Sequence, residues 1–128
     1  MPARSFISKE LASLFGVLAN PHRIRIIEEL RNSEQDVNTL QSVLGISHSR
    51  ASQHLAVLRM HKLVAERRQG RHVFYHITNE RLPAWILDGL DFIQPDLGKI
   101  ADMQSAVEQV RAIWGSNDGS ESDSEFSD

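Results

Sequence analysis

Apolar residues recur along the chain at helical spacing, switch to alternation near its middle, and then return to helical spacing. Between residues 5 and 18, Leu11, Leu14, Phe15 and Leu18 fall at i, i+3, i+4 and i+7, which places four apolar side chains on one face of a first helix. Phe6, Ile7 and Val17 widen that surface beyond one stripe, enough to pack against more than its own domain. Asn20 followed by Pro21 predicts a second start, because Asn caps well and the N–H that Pro lacks has no helical partner there. This helix is expected to run to about Arg31 with Ile24, Ile27 and Leu30 inward, and the polar run from Asn32 to Asp36 leads to a third. The third begins near Asn38 as N-cap, buries Leu40, Val43 and Leu44, and stops at Gly45, which accepts the left-handed conformation of a helix end.

Ser47 then caps a fourth helix with two distinct faces. Ala51, Leu55 and Leu58 point to a core, while Ser49, Ser52, Gln53 and Ala56 repeat the same spacing on another side. A face that only needed solvation would more often carry Lys and Glu; short hydroxyls and an amide let a helix approach another surface closely. After Lys62 the pattern alternates: Val73, Tyr75 and Ile77 interleave with His72, Phe74 and His76, and the preceding VAERR and a Gln69-Gly70 turn complete a β-hairpin. Arg67, Arg68 and Arg71 cluster at its tip. From Asn79 to Ile93 a further helix carries Leu82, Trp85, Ile86, Leu90 and Ile93, with Pro83 in its first turn. Pro95 and Gly98 break the pattern, and a last helix from about Leu97 to Trp114 spaces Ile100, Met103, Val107, Val110 and Trp114 by alternating threes and fours. Such a heptad-like seam serves either to pair helices or to pack the helix on its own domain. The expected fold is mainly α with a β-hairpin, a winged helix-turn-helix over residues 5–114, followed by a disordered acidic tail over 115–128 that has almost no apolar content.

Composition narrows the chemistry. With 128 residues, 41% of them hydrophobic and 24% charged, the chain has the make-up of one soluble domain. The absence of cysteine removes disulfides, thiolate metal sites and thiol redox sensing. No secretory pattern opens the chain and no apolar run approaches the roughly 18 residues of a membrane span, so a cytoplasmic location without a membrane partner is expected. The net charge of -3 hides a polarity, since five of the 17 acids (Asp118, Glu121, Asp123, Glu125 and Asp128) lie in the last fourteen residues. Between His48 and Arg81, Arg50, Arg59, Lys62, Arg67, Arg68, Arg71 and Arg81 face only Glu66 and Glu80, a net of +5. Local charge of this kind is the footprint of a phosphate-binding surface. The acidic tail serves either as a solvated end or as a tethered polyanion competing for that basic face.

B-form DNA has a major groove about 12 Å wide that accepts one helix, and a narrow minor groove that accepts extended basic side chains. The fourth helix suits the first and the hairpin tip the second. At the helix start, next to the Ser47 cap, His48, Ser49, Ser52 and Gln53 can reach base edges, and Gln can pair with adenine. Arg50 can meet a phosphate or a guanine. Arg67, Arg68 and Arg71 should mostly contact the backbone, adding affinity and salt dependence rather than discrimination.

Residues 11–78 resemble the ArsR/SmtB family of winged-helix repressors. The resemblance lies in LFGVLANPHRIRIIEEL, then LGISHSRASQHLAVLRMHKLV, then ERRQGRHVFYHIT, in family order and spacing over about half the chain. It implies a homodimer joined through the first and C-terminal helices, bound to an inverted repeat and released by an inducer. The interface residues it implies are Phe6, Leu11, Leu14, Phe15, Leu18, Trp85, Ile100, Met103, Val107 and Val110. Two recognition helices about 34 Å apart would then meet successive major grooves. The family's inducer motifs are missing: relatives that sense soft metals carry cysteines near the third helix, where this chain reads SEQDVNTL, and residues 79–114 hold no histidine for a zinc- or nickel-type site.

Five of the six histidines lie between His48 and His76. His54 and His61 are about 10 Å apart by helix rise and His72 and His76 about 13 Å apart along a strand, so neither pair alone can share an ion held at roughly 2 Å. No cofactor is expected, with a metal site joining two elements or two chains left open. His54 and His76 are expected to be partly buried structural residues, and His48 and His72 surface groups or DNA contacts. Since unperturbed histidine titrates near pH 6.5, DNA binding should tighten from pH 8 to pH 6. No nucleophile elbow, phosphate loop or HExxH pairing occurs, which argues against an enzyme. A winged-helix interaction module that has lost DNA binding should present a neutral or acidic recognition face, against the +5 segment.

Overall fold

The inward residues of four helices and two strands converge on one core. In a computed structural model, which describes residues 2–93 and 99–126 and for 115–126 the backbone alone, the order is α1 (Pro2–Leu18), α2 (Pro21–Glu29), β1 (Gln35–Asp36), α3 (Val37–Leu44), α4 (His48–Met60), β2 (Val64–Gln69), β3 (His72–Ile77), α5 (Leu82–Asp88), a 3-10 turn (Gly89–Phe92) and α6 (Ile100–Phe126). The chain divides into two compact units, Met1–Trp85 and Ile86–Asp128. In the first, Val17 and Leu18 of α1, Ile26 and Ile27 of α2, Leu30 just after it, Leu40 of α3, Ala51, Leu55 and Leu58 of α4, Val64 of β2 and Tyr75 of β3 form the core. Each of these large apolar side chains contributes about 1.5–3 kcal/mol when fully buried.

The local signals that the helices obey are specific. Asn20 sits in extended backbone and its side chain accepts from the amides of His22 (2.9 Å) and Arg23 (3.2 Å), with Pro21 at the first helical position. Gly45 ends α3 at φ +66, donating back to the Gln41 carbonyl. Ser47 then caps α4 by accepting from the Arg50 amide at 3.2 Å. The three-residue passage between α3 and α4 is therefore fixed at both ends, as a helix-turn-helix requires.

The sheet has the order β1-β3-β2, with both pairings antiparallel. Gln69 faces His72, so the hairpin turn consists of Gly70 and Arg71, one position later than the sequence pattern predicts, and Gly70 takes φ +61. Arg71 is thereby part of the turn itself.

Several expectations are corrected. The α3 cap is Asp36, not Asn38: its carboxylate accepts from the Thr39 amide at 2.8 Å, and Gln35–Asp36 form a short strand against Tyr75 and Phe74. Ile24 is 40% exposed and Ile26 is buried in its place, because α2 packs against α1, α3 and α4 together and its inward face centres on Ile27. Val43 is 45% exposed; on a two-turn helix Leu40 fills the core and Leu44 is half-buried. His76 is exposed on the outer side of β3. The helix expected over 79–93 is only α5 and then tightens at Gly89 into a 3-10 turn, where a residue of low helix propensity follows Asp88. The α6 backbone continues helical past Trp114, to Phe126. Among the described residues no helix is long and apolar enough to cross a membrane.

Candidate nucleic-acid interface

Helix α4 divides along its length into a packed and an open side. Ala51, Leu55 and Leu58 are fully buried, while His48, Ser49, Arg50, Gln53 and Ala56 are exposed and Ser52 is half-buried. With its apolar side locked, the helix presents the small polar side outward without freedom to roll. Ser47 is positioned as cap rather than as a free hydroxyl.

The wing meets the start of α4 across a cleft of about 100 Å³ lined by Asp36, Asn38, His48, Arg71 and His72. His48 from the recognition helix and Arg71 from the turn thus share one concave surface. His72 Nδ1 lies 3.6 Å from Asp36 Oδ2. Hydrogen bonding by Thr39, side chain and backbone, holds the Asp36 carboxyl below its ordinary range, with His72 adding to the effect.

The three wing arginines are not equivalent. Arg68 is 75% exposed and its Nε stands 3.8 Å from Glu66. Glu66 also holds Arg59 at 3.0 Å and accepts from the Tyr75 hydroxyl at 3.4 Å, so part of the local positive charge is balanced at the wing's base. Burial is the main reason that Tyr75 titrates above its ordinary value. Arg71 is exposed in the turn. Arg67 lies along the sheet surface: it pairs with both oxygens of Glu34, donates from Nη1 to Gln69 Oε1 at 2.9 Å, and lies 4.9 Å from the centre of the Phe74 ring. The sequence reading groups Arg67 with the other two and passes over Glu34; residues 33 apart carry no local signal for such a pair.

Behind α4, His54 is half-buried, and its Nδ1 accepts from Arg23 Nε at 3.2 Å. Arg23 Nη1 also donates to the Val17 carbonyl at 3.0 Å, so one side chain ties α1, α2 and α4 together. Burial first, then the charge of Arg23, holds the His54 ring below its ordinary pKa. Among the described residues no group of three His, Asp or Glu is placed to hold a metal ion.

The residues implied as a dimer interface separate. On α1, Phe6, Leu11 and Phe15 are exposed and Leu14 is half-buried, whereas Leu18 belongs to the unit's own core and is not available to a partner. Trp85 is 44% exposed and stacks on Phe15 at 6.0 Å. In the second unit Ile100 is exposed, Val110 is half-buried, and Met103 and Val107 line a groove with Leu90 and Ile93.

Known proteins share this arrangement. The description "bacterial regulatory protein, arsR family" matches residues 20–66, which span α2 through the first half of β2. The chain is 35% identical over 80 residues to the HTH-type transcriptional regulator KmtR of Mycobacterium tuberculosis, a match covering 62% of each protein, so it spans under two thirds of that relative's length. It is 37% identical over 79 residues to the transcriptional activator HlyU of Vibrio cholerae, covering 62% of this chain and 73% of HlyU. The solution structure of the homodimeric winged helix-turn-helix DNA-binding domain of Mb0332 from Mycobacterium bovis superposes with a TM-score of 0.62 at 27% identity, over 69% of this chain and 84% of that one.

Proposed function

The chain belongs to the arsR family of bacterial regulatory proteins, and from that premise we propose that it is a cytoplasmic, homodimeric transcriptional repressor that binds an inverted-repeat operator. Each α4 enters a major groove, and each wing follows the backbone or the minor groove beside it. The observation that carries this reading is the division of α4, whose back is fully buried, whose small polar side is open, and whose first residue, His48, shares one cleft with the wing arginine Arg71. Within this arrangement Gln53, Ser49 and Ser52 read bases, and Arg68 and Arg71 contact phosphates. Bound across a promoter, such a dimer blocks the DNA it covers.

Two substitutions separate these roles. Gln53→Ala should relax base preference at one position of each half-site, costing about 1–3 kcal/mol against the preferred base. Arg68→Ala should weaken all sequences alike and, with one copy in each protomer, lower the slope of log K against log[salt] by about 2. Fluorescence anisotropy on operator and scrambled duplexes at several salt concentrations measures both. A Gln53→Ala variant with unchanged base preference would remove that residue from the readout.

A further inference from the structure

Arg67 is the wing arginine whose guanidinium, although its side chain is 45% exposed, is engaged by the protein's own groups. Nε and Nη2 grip the two oxygens of Glu34, Nη1 is taken by Gln69, and the plane lies over Phe74. The strand register shows what this spans. Arg67 faces Phe74 across β2–β3, Phe74 faces Asp36 across β3–β1, and Glu34 immediately precedes β1. The side chain therefore starts on the outer strand, crosses the middle one over its aromatic ring, and ends on the segment that leads into α3.

We propose that Arg67 is a positioning residue, a strut that fixes the wing to the start of the helix-turn-helix, and that phosphate contact by the wing belongs to Arg68 and Arg71. This rests on the DNA-binding reading above. The opposite arrangement is a latch, in which Glu34 stands in for a phosphate and restrains an arginine that DNA later claims. An exposed ion pair alone is weak enough to be a latch. Here three separate groups hold the same guanidinium, the paired carboxylate geometry is the fork-to-fork kind, and all three would have to be given up together. Position agrees: Arg71 lies in the turn and Arg68 is 75% exposed, while Arg67 is 45% exposed and further from the turn.

Strut and latch differ in sign under one isosteric change. Glu34→Gln removes the charge and leaves the shape. For a strut, Glu34→Gln and Arg67→Ala both weaken operator binding about two- to fivefold, with the salt slope unchanged, and Arg71→Ala lowers that slope by about 2 for the dimer. For a latch, Glu34→Gln tightens binding and raises the slope. That result, or an Arg67→Ala slope reduced by about 2, would overturn the proposal. Amide hydrogen exchange in the free full-length protein supplies a readout without DNA: Glu34→Gln and Arg67→Ala should each speed exchange along β1 and β3, and unchanged exchange would contradict a strut. If the unmutated protein shows no DNA binding, the functional reading fails while the exchange result still decides the strut.

Discussion

Lys62 adopts φ +60 just past the His61 cap of α4, a conformation that costs a side-chain-bearing residue about 1–2 kcal/mol. The position is held because the Leu63 amide closes back on the Leu58 carbonyl and the Thr78 hydroxyl donates to the Lys62 carbonyl. Lys62→Gly should therefore raise the denaturant midpoint, by about 1 kcal/mol in stability after the glycine's extra unfolded freedom is counted. At His54 the physics is ionic. Its folded pKa lies below the ordinary 6.5, so the unfolded chain binds the proton more readily. The stability that the neutral ring contributes is complete above about pH 6.5 and is lost as pH falls through the folded value. Asp36 has the same sign in a lower window: its carboxyl is depressed from 3.8, and its contribution disappears on further acidification. Denaturation from pH 8 to pH 5 should show stability falling below about pH 6.5, with His54→Gln flattening that step.

At the scale of elements, the pieces that bear on function were the most legible in the sequence. Helix α4 declares itself through Ser47, through three apolar residues at one spacing and through a second polar face at the same spacing; the wing does so through alternation and Gly70. What escaped has a physical reason in each case. Strand β1 is two residues long, too short for any period to appear. Asp36 and Asn38 are both able to cap, and only the pairing of Asp36 with Phe74 decides between them. A single inward stripe was assumed for α2, but a nine-residue helix surrounded by three others buries Ile26 beside Ile27 and leaves Ile24 at the margin. Glu34 is one residue of a polar connection in the sequence, because its partner Arg67 is near it only after the sheet forms.

For the whole molecule, the apolar residues left uncovered are as informative as those in the core. Phe6, Ile7, Leu11 and Phe15 stay exposed on α1, and a family relative of this fold is a homodimer. A pairing of α1 with its copy would cover that surface, with Leu18 left in the core. Two copies related by a two-fold axis would present two α4 helices to one side of a duplex, which turns the chemistry of one recognition face into a demand on DNA symmetry. The most direct test of sequence-specific regulation is footprinting of genomic DNA by the purified full-length protein. The expected result is a small number of protected inverted repeats, with half-sites about one helical turn apart and affinity well above that for scrambled duplexes of the same length. Protection spread evenly along the DNA, with equal affinity for the recovered and scrambled sequences, would contradict it.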